Sequence, residues 1–184
     1  TLKLKFGEKD LDFTRPWKRI KFYDELNKAS GMDWCKGDLK KLPRDAGLEI
    51  RADQPDVDIL NDAFEHFVER NLFQPAFVLD YPAISTPLAK RHEGNGALVY
   101  RFELFIAGME LANAFSELND PVEQRARMEA QNLAESGKVL DEDFLTAMDH
   151  GMPPAGGLGI GMDRLVMILT NQPSIRDVIL FTHM

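Results

Sequence analysis

The chain has 184 residues, of which 44% are hydrophobic and 28% charged, with a formal net charge of -8. This size and composition predict one folded domain over residues 1–184 and exclude a disordered chain, while the acidic balance disfavours a surface that clamps a nucleic-acid backbone. No apolar run approaches the roughly 18 residues of a membrane span and no secretory signal opens the chain, so we expect a cytoplasmic protein that binds no membrane.

In the first half of the chain, alternating apolar residues predict strands and a helical repeat predicts helices. Residues 2–6 and 11–13 alternate in this way on either side of a turn and predict a β-hairpin. In the most regular helical segment the apolar side chains recur at three- and four-residue steps, with Asp56 or Asp58 available as the N-cap. The helices are predicted at 20–29, 39–46 and 56–71, and a buried strand at 77–79 precedes a polar loop at 90–96.

The second half predicts a pair of antiparallel strands followed by helices. The strands are predicted at 98–106 and 109–115, with Gly108 between them. Asp120 precedes a proline at the first helical position, and it is predicted to cap a mostly polar surface helix that ends near Glu135. The remaining elements are a helix at 141–150, a strand at 157–160, a helix at 163–169 and a capped start at 174–177.

Three glutamates, Glu103, Glu110 and Glu117, stand seven residues apart in a segment that is otherwise rich in apolar residues. Buried or half-buried acids need a cation or a donor to offset desolvation. Glu103 and Glu110 on neighbouring strands therefore fit a magnesium site, and Glu117 is left to pair with a ligand cation. Glu110 and Glu117 would face opposite sides of an unbroken strand, so we place a break at residues 112–114. The alternative is that all three acids are solvated on an exposed sheet face.

A glycine-rich stretch lies farther along the chain, where Gly157, Gly159 and Gly161 alternate singly. This spacing differs from the dinucleotide-binding fingerprint, which needs two residues between its second and third glycines. Alternating glycines leave one face of a strand without side chains, which lets a flat ligand or another backbone approach. Arg164, near the start of the next helix, would add a positive charge for a phosphate. The alternative is a close-packed strand crossing with Arg164 in a surface ion pair.

Most of the chain resembles the later part of the catalytic domain of class II lysyl-tRNA synthetases, and the resemblance is weakest at residues 27–53. Residues 157–164 resemble class II motif 3, while residues 115–120, with the sequence FSELND, point to lysine. The other matching stretches are 74–77, 80–82, 86–90, 101–121 and 175–181. The resemblance implies an α+β fold, with part of the class II antiparallel sheet flanked by helices.

On the ATP side, the resemblance implies that Glu103 and Glu110 hold Mg²⁺ ions that bridge the ATP phosphates. Arg164, the catalytic residue of this assignment, would bind the γ-phosphate and flank the adenine. Gly159 and Gly161 would also lie at the ATP. The chemistry implied is attack of the lysine carboxylate on the α-phosphate, which gives lysyl-adenylate, followed by transfer to tRNA.

On the lysine side, the resemblance implies that Asn113 contacts the lysine carboxylate and Phe115 lines its aliphatic stem. Glu117 would pair with the ε-ammonium group, and the related aspartyl enzymes carry an arginine at this place. The implied partners are ATP, L-lysine and tRNA-Lys, and the full-length enzyme is implied to be a homodimer.

The chain also departs from that family. Nothing matches motif 1, motif 2 or the anticodon-binding barrel, so we expect a fragment that is inactive alone. Ala114 replaces a glycine common in the family, and Met184 lies just short of the usual Arg-Pro or Lys-Pro end. Two alternatives stay open. One is the paralogue that attaches lysine to elongation factor P, although Gly159 and residues 116–120 favour the tRNA enzyme. The other is a non-catalytic interaction module.

Overall fold

The computed structural model describes residues 1–134 and 140–181 of the chain, which divides into two compact units. The first unit comprises Thr1–Leu79, Phe102–Asn113 and Gly159–Met184, and the second comprises Asp80–Arg101 and Ala114–Leu158. The prediction of a single domain stays a prediction. In the part of the chain that is described, no helix has both the length and the apolar character needed to cross a membrane.

Most strands belong to one mixed sheet, and a separate hairpin forms near the N-terminus. The strands are β1 Lys3–Phe6, β2 Lys9–Asp12, β3 Lys18–Lys21, β4 Ala76–Pro82, β5 Arg91–His92, β6 Asn95–Ile106, β7 Met109–Ser116 and β8 Gly156–Ile160. The order in the larger sheet is β3-β4-β6-β7-β8, with β5 paired to β6, while β1 and β2 pair with each other. An antiparallel sheet was predicted. The observed sheet is mixed, because β3 and β4 run parallel.

Helices and short 3₁₀ turns connect these strands. The helices are α1 Phe22–Ser30, α2 Leu42–Asp45, α3 Asp56–Phe67, α4 Pro121–Ala134, α5 Glu142–Asp149 and α6 Met162–Thr170. The 3₁₀ turns are Glu69–Asn71, Ala83–Ser85 and Ile175–Asp177. Together with the strands, these helices confirm the prediction of an α+β fold.

The first unit is held together by apolar side chains from its helices and strands. Phe22 of α1 stacks on Phe64 of α3, with ring centroids 4.4 Å apart and ring planes 13° from parallel. A hydrophobic cluster joins residues of β2, β6, β7 and α6, namely Leu11, Leu104, Ile106, Leu111, Ala112 and Ile168. Burial of a large apolar side chain contributes about 1.5–3 kcal/mol, so this cluster fixes β7 and α6 against each other.

The second unit contains the helix predicted after the Asp120 cap and the helix predicted at 141–150, whose cap at Asp141 was not predicted. Asp120 accepts hydrogen bonds from the N–H groups of Val122, at 2.9 Å, and Glu123, at 3.2 Å. Asp141 accepts one from the N–H of Phe144 at 2.9 Å, which caps α5. Helix α4 is described to Ala134, so its predicted end near Glu135 lies outside the described residues.

Several element boundaries differ from the predictions. The N-cap of α3 is Pro55, so the predicted cap at Asp56 or Asp58 is wrong, and both carboxylates lie in the first turn, where the helix dipole favours them. The helix predicted to residue 71 ends at Phe67, and the one predicted at 39–46 is confined to Leu42–Asp45.

Two short strands were missed. Lys18–Lys21 forms β3 with only Ile20 buried, so it carries no apolar alternation, and it takes the start of the helix predicted at 20–29. The predicted loop at 90–96 contains β5 and the first residues of β6. Both segments are held by pairing with a neighbouring strand, which local sequence does not encode.

Candidate functional site

A tight hairpin places two of the three predicted glutamates on neighbouring strands of the first unit. Ala107 and Gly108 join β6 to β7, and both have positive φ, 57° and 73°, as a two-residue hairpin turn requires. Their N–H groups donate to the carbonyls of Phe73, at 2.8 Å, and Leu72, at 3.0 Å. Glu103 on β6 and Glu110 on β7 are thereby brought to adjacent strands, as predicted.

The first unit also brings Arg164 to Glu110. Nη1 of Arg164 donates a hydrogen bond of 2.5 Å to the carbonyl of Glu110 and lies 3.9 Å from its Oε2 atom. The contact is possible because the start of α6 is hydrogen-bonded to β7. The N–H of Gly161, the N-cap residue of α6, donates to the carbonyl of Leu111 at 2.8 Å. A fixed cation and a carboxylate therefore stand together at the start of a helix.

Glu69, in the 3₁₀ turn after α3, is an additional acid that sequence reasoning missed. Burial raises the pKa of Glu69, and the negative charges of Glu65, Glu103 and Glu110 raise it further, while Arg164 opposes them. The acids of the first unit thus act on one another, with the Arg164 guanidinium as a partial counter-charge. A polar residue at the end of an amphipathic helix gives no sequence signal of this kind.

The donor set of the first unit fits Mg²⁺. Glu103 has only 8% of its surface exposed, so its carboxylate is desolvated and a nearby cation would stabilise it. Mg²⁺ takes oxygen ligands, typically from one or two carboxylates completed by substrate phosphates. Within residues 1–134 and 140–181, no three His, Cys, Asp or Glu side chains converge on one metal position. Glu103 and Glu110, completed by substrate oxygens, would match this preference.

The acids around Glu69 predict a pH effect on stability. A carboxyl group with a raised folded-state pKa binds its proton more tightly in the folded state, so stability falls as pH rises from the unfolded pKa through the folded pKa. We expect Glu69→Gln to raise the melting temperature by roughly a few degrees near neutral pH and to change it little below about pH 4. Thermal unfolding across this pH range checks the prediction.

The matched control for that prediction is Glu65→Gln. Glu65 is exposed and pairs with Arg70 at 3.0 Å. Its substitution should raise the melting temperature less than Glu69→Gln does, because it relieves only one repulsion on Glu69, has little desolvation cost of its own and loses the ion pair with Arg70. A Glu69→Gln variant that is less stable than the wild type at neutral pH would contradict the assignment.

In the second unit, Glu117 directly follows the end of β7. Its N–H donates to the carbonyl of Ala155 at 3.0 Å. A Cβ atom at Gly157 would overlap Oε1 of Glu117, so the carboxylate occupies the space that the missing side chain leaves. Gly157 is therefore a second residue of the site that sequence reasoning did not assign, although the alternating glycines were its signal. A Cβ atom at Gly159 or Gly161, the two glycines that the resemblance assigns to ATP, would make only ordinary contacts.

The course of β7 differs from the predicted break. The strand continues through residues 112–114 and ends at Ser116, between Glu110 and Glu117, so the predicted position of the break is wrong. Ala112 and Ala114 are buried, whereas Asn113, Phe115 and Glu117 are half-buried. Because side chains alternate along a strand, the last three share the face opposite the buried alanines.

Comparison with known proteins adds a family match to this geometry. A family model described as class II tRNA synthetases (D, K and N) matches residues 2–184. The chain is 51% identical to a lysine–tRNA ligase of Moorella thermoacetica over 183 residues, covering 95% of this chain and 37% of the relative. It is 45% identical to a lysine–tRNA ligase of Shouchella clausii over 193 residues, covering 100% of this chain and 38% of the relative. The chain thus spans less than two fifths of the length of these curated relatives.

Proposed function

Because the chain belongs to the family of class II tRNA synthetases (D, K and N), we propose that it forms the part of a lysine–tRNA ligase that selects lysine and holds magnesium-bound ATP. The observation that carries this proposal is the Glu117 carboxylate, which lies against the open position of Gly157. A half-buried carboxylate attracts an ammonium group and repels the carboxylate of an aspartate side chain. Of the three amino acids in the family description, Glu117 therefore favours lysine.

Three side chains are proposed to bind lysine. Glu117 pairs with the ε-ammonium group, Phe115 packs along the aliphatic stem, and Asn113 contacts the carboxylate. Their spacing of two residues supports this assignment, because alternate residues of a strand point to the same face. Asn113 and Glu117 lie four positions apart, so the carboxylate and the ε-ammonium group of lysine would contact different places along the strand.

The contact between Gly157 and Glu117 yields a prediction. Gly157→Ala is expected to displace the Glu117 carboxylate and to lower affinity for a lysyl-adenylate analogue by about tenfold, the cost of a misplaced charged hydrogen bond. Stability should change little, since the atom that must move ends a flexible side chain. Isothermal titration calorimetry and thermal unfolding measure the two effects.

Gly156→Ala is the control for this substitution. A Cβ at Gly156 would meet only the carbonyl oxygen of Phe115, at 3.8 Å, which is an ordinary contact. Affinity should therefore match the wild type. Unchanged affinity in Gly157→Ala would show that the carboxylate tolerates displacement, against the proposed role of Glu117.

The ATP contacts are proposed to lie at Glu103, Glu110, Gly159, Gly161 and Arg164. Magnesium, when bound, neutralises phosphate charge and orients the phosphates. Glu103 and Glu110 would hold the ion, since hard cations take carboxylate oxygens together with substrate phosphates. Arg164 would bind the γ-phosphate in exchange for its present contact with Glu110. The two glycines add no side chain beside the nucleotide.

The proposed reaction has two transfers. A carboxylate oxygen of lysine attacks the α-phosphorus of ATP, the bond to the bridging oxygen breaks, and pyrophosphate leaves. A 3′-terminal hydroxyl of tRNA then attacks the carbonyl carbon of lysyl-adenylate, the bond from that carbon to the phosphate oxygen breaks, and AMP leaves as the hydroxyl proton passes to the departing phosphate. The residues above contribute positioning and charge neutralisation, which account for most of such catalysis. ATP, L-lysine and tRNA-Lys are the proposed partners of a cytoplasmic, homodimeric enzyme.

Binding measurements with three ligands test the proposal. Isothermal titration calorimetry compares non-hydrolysable lysyl-, aspartyl- and asparaginyl-adenylate analogues, each with magnesium. We expect the lysyl analogue to bind at least about tenfold more tightly than the other two, because specificity is a difference of affinities set here by one charge. Equal affinities, a preference for the aspartyl analogue, or no binding would contradict the proposal.

A further inference from the structure

Helix α4 is mostly polar, yet one of its arginines is buried. The Arg127 side chain is 9% exposed, and its guanidinium donates to the carbonyls of Pro87, at 3.1 Å, and Ala89, at 2.7 Å. It also donates to Oε1 of Glu123 through Nη2 at 2.6 Å and Nε at 3.1 Å. Through these hydrogen bonds Arg127 connects helix α4 to the segment formed by residues 87–90.

That segment, residues 87–90, forms backbone hydrogen bonds with the residues immediately before and after Glu117. The N–H of Lys90 donates to the carbonyl of Ser116 at 2.8 Å, and the N–H of Leu118 donates to the carbonyl of Leu88 at 2.9 Å. Ala89 lies opposite Glu117 in an isolated antiparallel bridge. The backbone of Glu117 is thus anchored through residues on either side of it, and Arg127 binds two carbonyls of the anchoring segment.

A second ion pair binds the residue that follows residues 87–90 to α4. Arg91, which follows Lys90, lies 2.8 Å from Oε1 of Glu123, the atom that also accepts from Arg127. Glu123 therefore bridges two arginines: it binds Arg91 directly, and it binds Arg127, which contacts Pro87 and Ala89. The planar guanidinium of Arg127 is suited to this task, because it donates in several fixed directions at once and stays charged.

From these contacts we propose that Arg127 is a positioning residue for lysine selection, which holds residues 87–90 and through them the backbone of Glu117. This inference rests on the proposed function, in which Glu117 binds the ε-ammonium group. Arg127 binds the carbonyls of Pro87 and Ala89, and residues 88 and 90 in turn bind the residues beside Glu117, so Arg127 needs no contact with the substrate. Its loss should therefore affect discrimination of the ammonium group more than binding of the nucleotide.

The test compares Arg127→Gln and Arg127→Lys with Arg125→Gln. Arg125 lies on the same helix and forms a two-pronged ion pair with Glu142, at 2.9 and 2.7 Å, without binding residues 87–90. The readout is the ratio of affinities for lysyl- and norleucyl-adenylate analogues with magnesium, since norleucine lacks the ammonium group. Backbone amide hydrogen exchange at Lys90 and Leu118 gives a second readout that needs no ligand.

We expect Arg127→Gln to reduce the lysyl-to-norleucyl ratio by about tenfold and to speed exchange at Lys90 and Leu118. The affinity ratio and the exchange rates of Arg127→Lys should lie between those of Arg127→Gln and the wild type, because one ammonium group reaches fewer acceptors than a guanidinium. Arg125→Gln should change neither readout. A merely structural role would lower the melting temperature without moving the ratio.

An unchanged ratio in both folded Arg127 variants would overturn the inference, whether or not exchange or the melting temperature changes. If Arg127→Gln fails to fold, Arg127→Lys alone decides, since it keeps the charge beside Glu123. A wild-type chain with no preference for the lysyl analogue would instead contradict the proposed function. Hydrogen exchange would then still decide whether Arg127 holds the segment around Glu117.

Discussion

Glu117→Gln is expected to lower the affinity of the chain for a lysyl-adenylate analogue by about 30-fold or more, the lower range for removing one partner of a desolvated charge pair. Glutamine keeps the size of the side chain against Gly157 and can still accept a hydrogen bond, but it removes the negative charge. The loss therefore reports on charge rather than on shape. Isothermal titration calorimetry with magnesium measures it.

Glu110→Gln serves as the control for lysine selection. Glu110 contacts Arg164 and is assigned to the ATP side, so the variant should keep the wild-type preference for the lysyl over the norleucyl analogue. A Glu117→Gln variant that binds the lysyl analogue as tightly as the wild type would remove the basis for assigning lysine to this position.

Glu103→Gln is expected to weaken magnesium-dependent binding of ATP by roughly a hundredfold or more, because even outer-shell partners of metal ligands contribute about 10–100-fold. The Glu103 carboxylate is nearly fully buried, so an amide of the same shape preserves packing while removing the charge that attracts the cation. Titration of the chain with ATP, with and without magnesium, measures the dependence.

Glu8→Gln is the control for Glu103→Gln. Glu8 is an exposed residue in the turn between β1 and β2, so its charge is solvated and its loss should leave magnesium dependence unchanged. Magnesium dependence that persists in Glu103→Gln would be incompatible with the proposed ion site.

The elements that were predicted correctly have strong local signals. Asp120 caps α4 as predicted, because a side-chain oxygen before a helical repeat satisfies the free N–H groups of the first turn. Gly31 ends α1 with φ of 74°, a conformation that glycine adopts without strain. In each case the residue that determines the boundary lies next to it in sequence.

The features that were missed depend on residues distant in sequence. β3 is held by pairing with β4, more than fifty positions along the chain. Burial in the fold is the main cause of the raised pKa of Glu69, and the charges of Glu65, Glu103 and Glu110 raise it further. Arg127 is buried because it binds carbonyls at residues 87 and 89, although its helix has a polar sequence. Periodicity and capping rules contain no information about such pairs.

The roles of the candidate site residues stay predictions, and the sequence indicates only part of their arrangement. Seven-residue spacing singled out Glu103, Glu110 and Glu117, and the structure brings Glu110 to Arg164 in the first unit. The position of Glu117 depends on a glycine forty residues farther along the chain, and only the folded structure pairs it with Gly157 rather than with Gly159 or Gly161. The type of residue was therefore predictable, but its partner was not.

The most direct test of lysine selection by charge is titration of the wild-type chain with lysyl-adenylate and norleucyl-adenylate analogues in the presence of magnesium. The two ligands have the same aliphatic stem and differ chiefly at the terminal ammonium group. A Glu117 carboxylate that binds the ammonium predicts at least about 30-fold tighter binding of the lysyl analogue. Equal affinity for the two analogues would contradict selection of lysine by Glu117.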